Sequence, residues 1–148
     1  MRGRQNWIRQ LQSAGAAMIL TAAVVGCNRG DGLNRVVVAG TVTLDGKSAE
    51  VGQIRYIPQR DTRGPTSISP IVGGHYECKD YGGVPAGEHR VEILIWDPNV
   101  PPPSGPGGTP RPQWAPEKYN RKSELTFKVE GSGGQKLVKD WNLTGAVK

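Results

Sequence analysis

Between residues 36 and 143, apolar and polar residues alternate in short segments that end at glycine, proline or an Asp-Gly pair. The first segment, Val36–Leu44, carries an aliphatic residue or glycine at every second position and leads into Asp45-Gly46. That pair favours a tight hairpin because both residues tolerate positive φ. No part of the region repeats apolar residues at the period of an amphipathic helix. The 21 glycines and 12 prolines are also poor helix formers and common turn residues, so the pattern predicts an all-β domain.

Seven segments have the length, alternation and flanking turn residues of strands. They are Val36–Leu44, Val51–Pro58, Thr66–Val72, Gly74–Lys79, Gly87–Trp96, Glu124–Glu130 and Gln135–Leu143. The third contains Pro70, which predicts an edge strand or a break, because proline has no N–H to give to a sheet. Seven short strands with frequent turns predict an antiparallel β-sandwich over residues 36–143.

Residues 1–26 have the character of an export signal. They contain Arg2, Arg4 and Arg9, no acidic residue, and then a run of small or apolar residues over Ala14–Val25. Twelve such residues are too few to span a bilayer, which takes roughly twenty. The position and the basic flank predict a signal-peptide helix that is removed from the mature protein.

The end of this segment, Val24-Val25-Gly26-Cys27, resembles a bacterial lipobox. The resemblance implies cleavage after Gly26 and a diacylglycerol thioether on Cys27, with two or three acyl chains holding the protein in a membrane. Val24 stands where leucine is commoner, and the alternative is an ordinary cleaved signal with an incidental cysteine. Residue 28 is asparagine rather than the aspartate associated with inner-membrane retention, which favours the outer membrane, with the domain facing the periplasm or the cell surface.

Charge and cysteine content narrow the possible partners. Three of the six net positive charges belong to the removed segment, and no Lys/Arg run is longer than Arg121-Lys122, so we expect no nucleic-acid partner. Residues 27–35 should form a short tether, of which the eight residues after Cys27 span about 16 Å as a flexible coil. With Cys27 carrying lipid, Cys78 has no disulfide partner. We expect it in the core, on the same face as Tyr76.

Residues 97–116 hold eight of the twelve prolines and three glycines. Such a segment cannot pair into a sheet and should be an exposed loop, partly in polyproline II conformation. It is either a tolerated insertion or a contact for a proline-binding partner or the cell wall. Trp114 lies inside it, and with Trp96 and Tyr119 on either side it forms a possible binding set for a glycan or another ligand.

Several motifs occur in an order that resembles bacterial transthyretin-like, or carboxypeptidase regulatory-like, domains. They are Gly40–Lys47, Gly52–Pro58, Gly74–Tyr76, Val84–Val91, Pro116–Asn120, Ser123–Thr126 and Trp141–Leu143. The resemblance implies a prealbumin-like sandwich of about seven antiparallel strands in a Greek-key arrangement and no established catalytic role. In that reading Gly46 and Gly87 occupy turns that need positive φ, Tyr119 and Asn120 hold the long loop to the sandwich, and residues 144–148 are a tail.

The sequence offers little for catalysis or for metal binding. His75, Cys78 and His89 could be considered as zinc ligands, but residues three apart on a strand point to opposite faces, and we expect no metal or cofactor. The transthyretin-like hydrolase of the urate pathway ends in Tyr-Arg-Gly-Ser, whereas this chain ends in Leu143-Thr-Gly-Ala-Val-Lys148. We therefore expect a non-enzymatic module with a structural or protein-interaction role in the cell envelope. The alternative is a carbohydrate- or ligand-binding module. The sequence leaves the oligomeric state open.

Overall fold

The computed structural model of the chain describes residues 32–105 and 108–145, so the predicted signal-peptide helix and the lipobox lie outside the described residues. Within those ranges the chain is all-β, as predicted, and its helical structure amounts to one 3₁₀ turn, Glu117–Tyr119, and an irregular turn at Asp80–Gly82, in which Tyr81 has left-handed φ and ψ. The strands are β1 (Arg35–Leu44), β2 (Lys47–Ser48), β3 (Val51–Pro58), β4 (Ser67–Val72), β5 (His75–Cys78), β6 (Val84–Pro85), β7 (Gly87–Ile95), β8 (Thr126–Val129), β9 (Lys136–Val138) and β10 (Trp141–Leu143).

The strands form one curled sheet in the order β10-β1-β5-β4-β3-β7-β8, and β2, β6 and β9 also pair with β1. β1 is therefore the organising strand, because five other strands pair along its ten residues. Most pairs are antiparallel, as predicted, but β9 and β10 run parallel to β1. The described part of the chain has ten strands rather than seven, because β2 and β6 are short additions and the last predicted strand is divided.

The predicted strand Gln135–Leu143 is divided by a local side-chain hydrogen bond. β9 and β10 keep the same register on β1, with Val38 opposite Leu137 and Val42 opposite Trp141. Between them, the Asp140 carboxylate accepts hydrogen bonds from the Thr41 backbone N–H (2.7 Å) and hydroxyl (2.8 Å). A side chain thus replaces the backbone acceptor there, so the strand assignment is interrupted while the alignment continues.

Gly40 makes this close approach possible. A Cβ at Gly40 would lie 2.0 Å from the carbonyl oxygen of Lys139, a distance that side-chain carbons do not adopt. Glycine is therefore required where the parallel segment crosses β1. Its place in the alternating pattern of β1 predicted only that it faces the interior.

The prediction that Pro70 places its strand at an edge, or breaks it, is wrong, because Ser67–Val72 is one unbroken strand. β4 lies inside the sheet, between β3 and β5. Ile71 is opposite Tyr76, and one further step of that register brings Pro70 opposite Glu77. The hydroxyl of Ser69 donates a hydrogen bond to the Glu77 carbonyl (3.0 Å), which supplies the donor that proline lacks.

The core lies on the inner face of the curled sheet and confirms the predicted alternation. Its buried apolar residues are Val36, Val38, Val42, Leu44, Ala49, Ile54, Tyr56, Ile71, Tyr76, Cys78, Val84, Val91, Ile93, Ile95, Ala115, Val129, Trp141 and Leu143. Cys78 is a buried free thiol on the same face as Tyr76, as expected. Across the core, the Tyr56 and Tyr76 hydroxyls are 2.9 Å apart, and the Tyr76 hydroxyl donates to the Lys139 carbonyl at 2.7 Å.

Two predicted turn glycines have the expected backbone conformation. Gly46 has φ 77° after β1, and Gly87 has φ 136° where the chain enters β7. In the described ranges no helix is long and apolar enough to cross a membrane.

Candidate functional site

The Pro-rich segment returns to the sheet at its C-terminal end. Gln113 forms an isolated antiparallel bridge with Trp96, and its side-chain oxygen accepts a hydrogen bond from the Ile95 N–H at 2.7 Å. The Trp114 N–H donates to the Ile95 carbonyl at 2.8 Å. The prediction that this segment makes no sheet contact is wrong at this point, because Trp114 has an N–H to donate to Ile95 and the Gln113 side chain accepts from it. The described residues from 101 to 110 are exposed, as expected.

These hydrogen bonds fix Trp114 at the mouth of a groove. The groove has a volume of about 240 Å³ and is lined by Leu44, Asp45, Lys47, Ser48, Ala49, Glu50, Ile95 and Trp114. Its floor is apolar and it has one aromatic wall, whose side chain is 36% exposed. The charged residues Asp45, Lys47 and Glu50 stand at its rim. Its volume is below the roughly 300–1,000 Å³ of common ligand pockets, so it suits a single small ring.

Trp96 lies on a different surface. It is half-buried, and the guanidinium carbon of Arg111 lies 5.5 Å from the centre of its ring. Arg111 also donates a hydrogen bond to the Asp97 carbonyl at 2.9 Å. Because neighbouring residues of a strand face opposite sides, Trp96 points away from Ile95 and hence from the groove. Its ring is covered by Arg111, which holds the base of the loop.

Tyr119 ties the loop to the end of the chain. Its hydroxyl accepts a hydrogen bond from the Thr144 N–H at 3.3 Å and lies 3.5 Å from the Thr144 hydroxyl. Hydrogen bonding to Thr144 lowers the pKa of Tyr119. The next residue, Asn120, is buried and donates to the carbonyls of Ala115 (3.0 Å) and Pro116 (3.2 Å). The predicted role of Tyr119 and Asn120 in fastening the loop is confirmed.

The structure therefore separates the three aromatic residues that the sequence grouped. Trp114 lines a groove, Trp96 stacks with Arg111, and Tyr119 bonds to Thr144. The charged rim of the groove was not predicted from the sequence. The Asp45-Gly46 hairpin indicates that Asp45 and Lys47 lie together at one end of β1. Nothing in the sequence indicates that Trp114 reaches the same end.

A second polar feature is His89, which is fully buried beside Tyr56. Its Nδ1 lies 3.1 Å from the Gly87 carbonyl, so Nδ1 carries the proton and Nε2 is left as an acceptor. Nε2 has no hydrogen-bond partner among the described residues. Burial lowers the pKa of His89, which keeps the ring neutral and removes most of the cost of enclosing it.

The side chains that could serve as nucleophiles are engaged structurally. Burial raises the pKa of the Cys78 thiol to about 12, so the thiol stays protonated at neutral pH. The Ser69 and Ser123 hydroxyls donate to the backbone carbonyls of Glu77 and Val91. His75 is exposed while Cys78 is buried, as the opposite faces of a strand require. In the described ranges no group of three or more His, Cys, Asp or Glu side chains is placed to hold a metal.

No protein-family model, curated protein or solved structure matches the chain.

Proposed function

We propose that the chain is an exported bacterial lipoprotein held in a membrane, with the outer membrane favoured, by acyl chains on Cys27. Its all-β domain is a non-catalytic module with a structural or protein-interaction role in the cell envelope. The observation that carries the anchor is the Val24-Val25-Gly26-Cys27 motif after a basic and then apolar segment. The non-catalytic role is supported by the use of Cys78 and the serine hydroxyls in the core and in backbone hydrogen bonds.

The finer fold belongs to the same proposal. We infer a transthyretin-like, Greek-key β-sandwich, supported by the ordered motifs and by a sheet that curls around one core. The long β1, which pairs with different strands along its length, allows two packed layers to share one strand. An experimental structure in which the inward side chains of β3 and β7 face those of β10 across the core would agree with it.

The anchor is tested by metabolic labelling with a fatty-acid analogue. We expect Cys27→Ala to abolish labelling and to release or mislocalise the protein. The matched control is Cys78→Ala, which removes the other cysteine and should leave labelling intact. Labelling that survives Cys27→Ala would show that the lipobox interpretation is wrong.

The interaction role is tested by chemical cross-linking in cells, followed by purification of the tagged protein. We expect an envelope protein to be recovered repeatedly with the lipidated chain. Recovery of no envelope protein would contradict a protein-interaction role.

A second candidate function is binding of a small carbohydrate in the Trp114 groove. The specific observation is the exposed indole of Trp114 beside an apolar floor, with Asp45, Lys47 and Glu50 at the rim. In such an arrangement a sugar ring stacks on the aromatic face, and its hydroxyls form hydrogen bonds with the charged groups. We expect envelope saccharides to change the tryptophan fluorescence of the protein, and Trp114→Ala to remove that change. Trp96→Ala, whose ring stacks with Arg111 away from the groove, is the matched control. Equal responses in both variants would rule out the groove.

A further inference from the structure

An exposed apolar rim lies at the end of the domain where the chain enters β1. Pro65, Ile68 and Tyr81, here called the anchor-end rim, line one cleft of about 280 Å³ together with Arg35, the first residue of β1. Tyr81 is 94% exposed and Ile68 46% exposed. Three neighbouring apolar side chains thus face solvent at one end of a small domain. Single exposed apolar residues are common on protein surfaces, but a group of them calls for an explanation.

The backbone holds Tyr81 outward at a conformational cost. Its φ of 54° and ψ of 26° lie in the left-handed region, which a large side chain rarely occupies. In the turn that follows, Gly82 and Gly83 also have positive φ. Because the Tyr81 ring is almost fully exposed, packing within the domain gives little compensation for this conformation. A strained turn that presents an aromatic residue to solvent points to a contact outside the domain.

The structure shortens the tether between the domain and the predicted lipid. Leu33 lies over Gly64, where a Cβ would be 2.8 Å from Leu33 Cδ1, and Asn34 exchanges hydrogen bonds with the domain, donating to the Gly131 carbonyl and accepting from the Ala86 N–H. Residues 33 and 34 are therefore part of the folded domain. From Cys27 to Leu33, the first of these folded residues, there are six residue steps, which span at most about 22 Å when fully extended.

This length limits how far the start of β1 can lie from the membrane. Cys27 would sit at the level of the lipid headgroups, so Leu33 stays within about 22 Å of the bilayer surface, and β1 starts two residues further along, at Arg35. The other end of β1, at Leu44, lies nine residues further along, or about 30 Å away. The anchor-end rim is therefore at the end of β1 that the tether holds within reach of the bilayer, whereas the Trp114 groove lies at the other end.

We propose that the anchor-end rim docks on the lipid surface, with Tyr81 and Ile68 entering the headgroup region. This proposal rests on lipidation of Cys27. Tyrosine suits that depth because its ring is apolar and its hydroxyl is polar. The lining of the cleft contains one cationic and one anionic side chain, Arg35 and Asp80, so its net charge is zero. The contact therefore depends on the apolar side chains, and salt should change it little.

The test measures how close each end of the lipidated full chain lies to lipid. The protein is purified from bacterial membranes and reconstituted in vesicles of phosphatidylethanolamine and phosphatidylglycerol that contain nitroxide-labelled lipid. A fluorophore is attached through Thr66→Cys, which is exposed beside the rim, or through Lys47→Cys at the far end. Lipid occupies the thiol of Cys27, and Cys78 is buried, so the introduced thiol is the one that reacts.

We expect the label at position 66 to be quenched at least twofold more than the label at position 47. Tyr81→Ser combined with Ile68→Ser should reduce quenching at position 66 to near the level at position 47. The matched control is Val72→Ser, which removes a 69% exposed side chain on the same face of β4, four residues further on, and should change nothing.

Equal quenching at positions 66 and 47, or quenching at position 66 that survives loss of both Tyr81 and Ile68, would overturn the docking proposal. Mass spectrometry of the N-terminal peptide separates this failure from failure of the proposed function. Acyl chains with no preferential quenching would leave the anchor standing and reject docking. A peptide without acyl chains would reject the anchor and, with it, docking as proposed here.

Discussion

The hydroxyl of Tyr76 makes two interactions in the core, and its removal should cost more than removal of its partner's hydroxyl. Tyr76 has one hydroxyl hydrogen, which it donates to the Lys139 carbonyl at 2.7 Å. Tyr56 must therefore be the donor in the 2.9 Å contact between the two hydroxyls. Tyr76→Phe removes both hydrogen bonds and leaves the buried Tyr56 O–H without an acceptor. Tyr56→Phe removes one hydrogen bond and leaves Tyr76 bound to Lys139.

The magnitudes follow from these counts. A hydrogen bond within a protein contributes about 1 kcal/mol net, and a buried polar group left without a partner costs about 1–3 kcal/mol. For Tyr76→Phe, the lost bond to Lys139 costs about 1 kcal/mol, and the orphaned Tyr56 O–H costs about 1–3 kcal/mol including the loss of its own bond. We therefore expect Tyr76→Phe to lower the free energy of unfolding by about 2–4 kcal/mol and Tyr56→Phe by about 1 kcal/mol. The double variant removes the orphaned O–H, so it should be no less stable than Tyr76→Phe alone.

The assay is urea unfolding of the domain that begins at residue 32, followed by circular dichroism, for the parent and the three variants. The four free energies form a double-mutant cycle that isolates the interaction between Tyr56 and Tyr76. A larger loss for Tyr56→Phe than for Tyr76→Phe would refute the assigned direction of the hydrogen bond. Simple additivity of the two losses would refute the inference that Tyr76→Phe orphans the Tyr56 hydroxyl.

Three further predictions concern the same core. Burial raises the pKa of Tyr76 to about 12 from the ordinary 10.0. The contribution of Tyr76 to stability should therefore be present below about pH 10 and be lost as the pH rises towards about 12. Unfolding measured between about pH 9 and about pH 12 should show a smaller loss of stability at high pH in Tyr76→Phe. Gly40→Ala should lower the free energy of unfolding by about 3 kcal/mol or more, because the added Cβ would collide with the Lys139 carbonyl. The control is Gly46→Asn in an open turn, which should leave the free energy of unfolding nearly unchanged in the same assay. Cys78, which is 3% exposed, should react with a thiol reagent only at the rate of unfolding, and rapid labelling of the native protein would contradict its place in the core.

The strands were largely predictable from local sequence because their information is local. In β1, β3, β5 and β7 the core-facing side chains recur at every second position, and this spacing is present in the residues themselves. The position of β4 was not predictable from Pro70. The compensating donor is the Ser69 hydroxyl, and its acceptor, Glu77, lies on another strand.

The candidate site was predicted less well than the strands. Trp96, Trp114 and Tyr119 were grouped because they are close in the sequence. Ile95 and Trp96 are neighbours on a strand and therefore face opposite sides of the sheet. Trp114 pairs with Ile95 and lies on its side, away from Trp96. The groove also needs the hairpin after β1 to meet the returning Pro-rich segment. That meeting depends on hydrogen bonds between residues far apart in the chain, for which the sequence carries no spacing signal.

The sequence by itself determined the all-β class, the alternating core and the turns at Gly46 and Gly87. Each of these follows from residue preferences over a few positions. Only the tertiary structure decided that the last segment runs parallel to β1 over Gly40, that β4 is internal, and that residues 33 and 34 belong to the folded domain. Such features depend on which strands meet, and contacts across the whole chain choose among the many pairings that local preference allows.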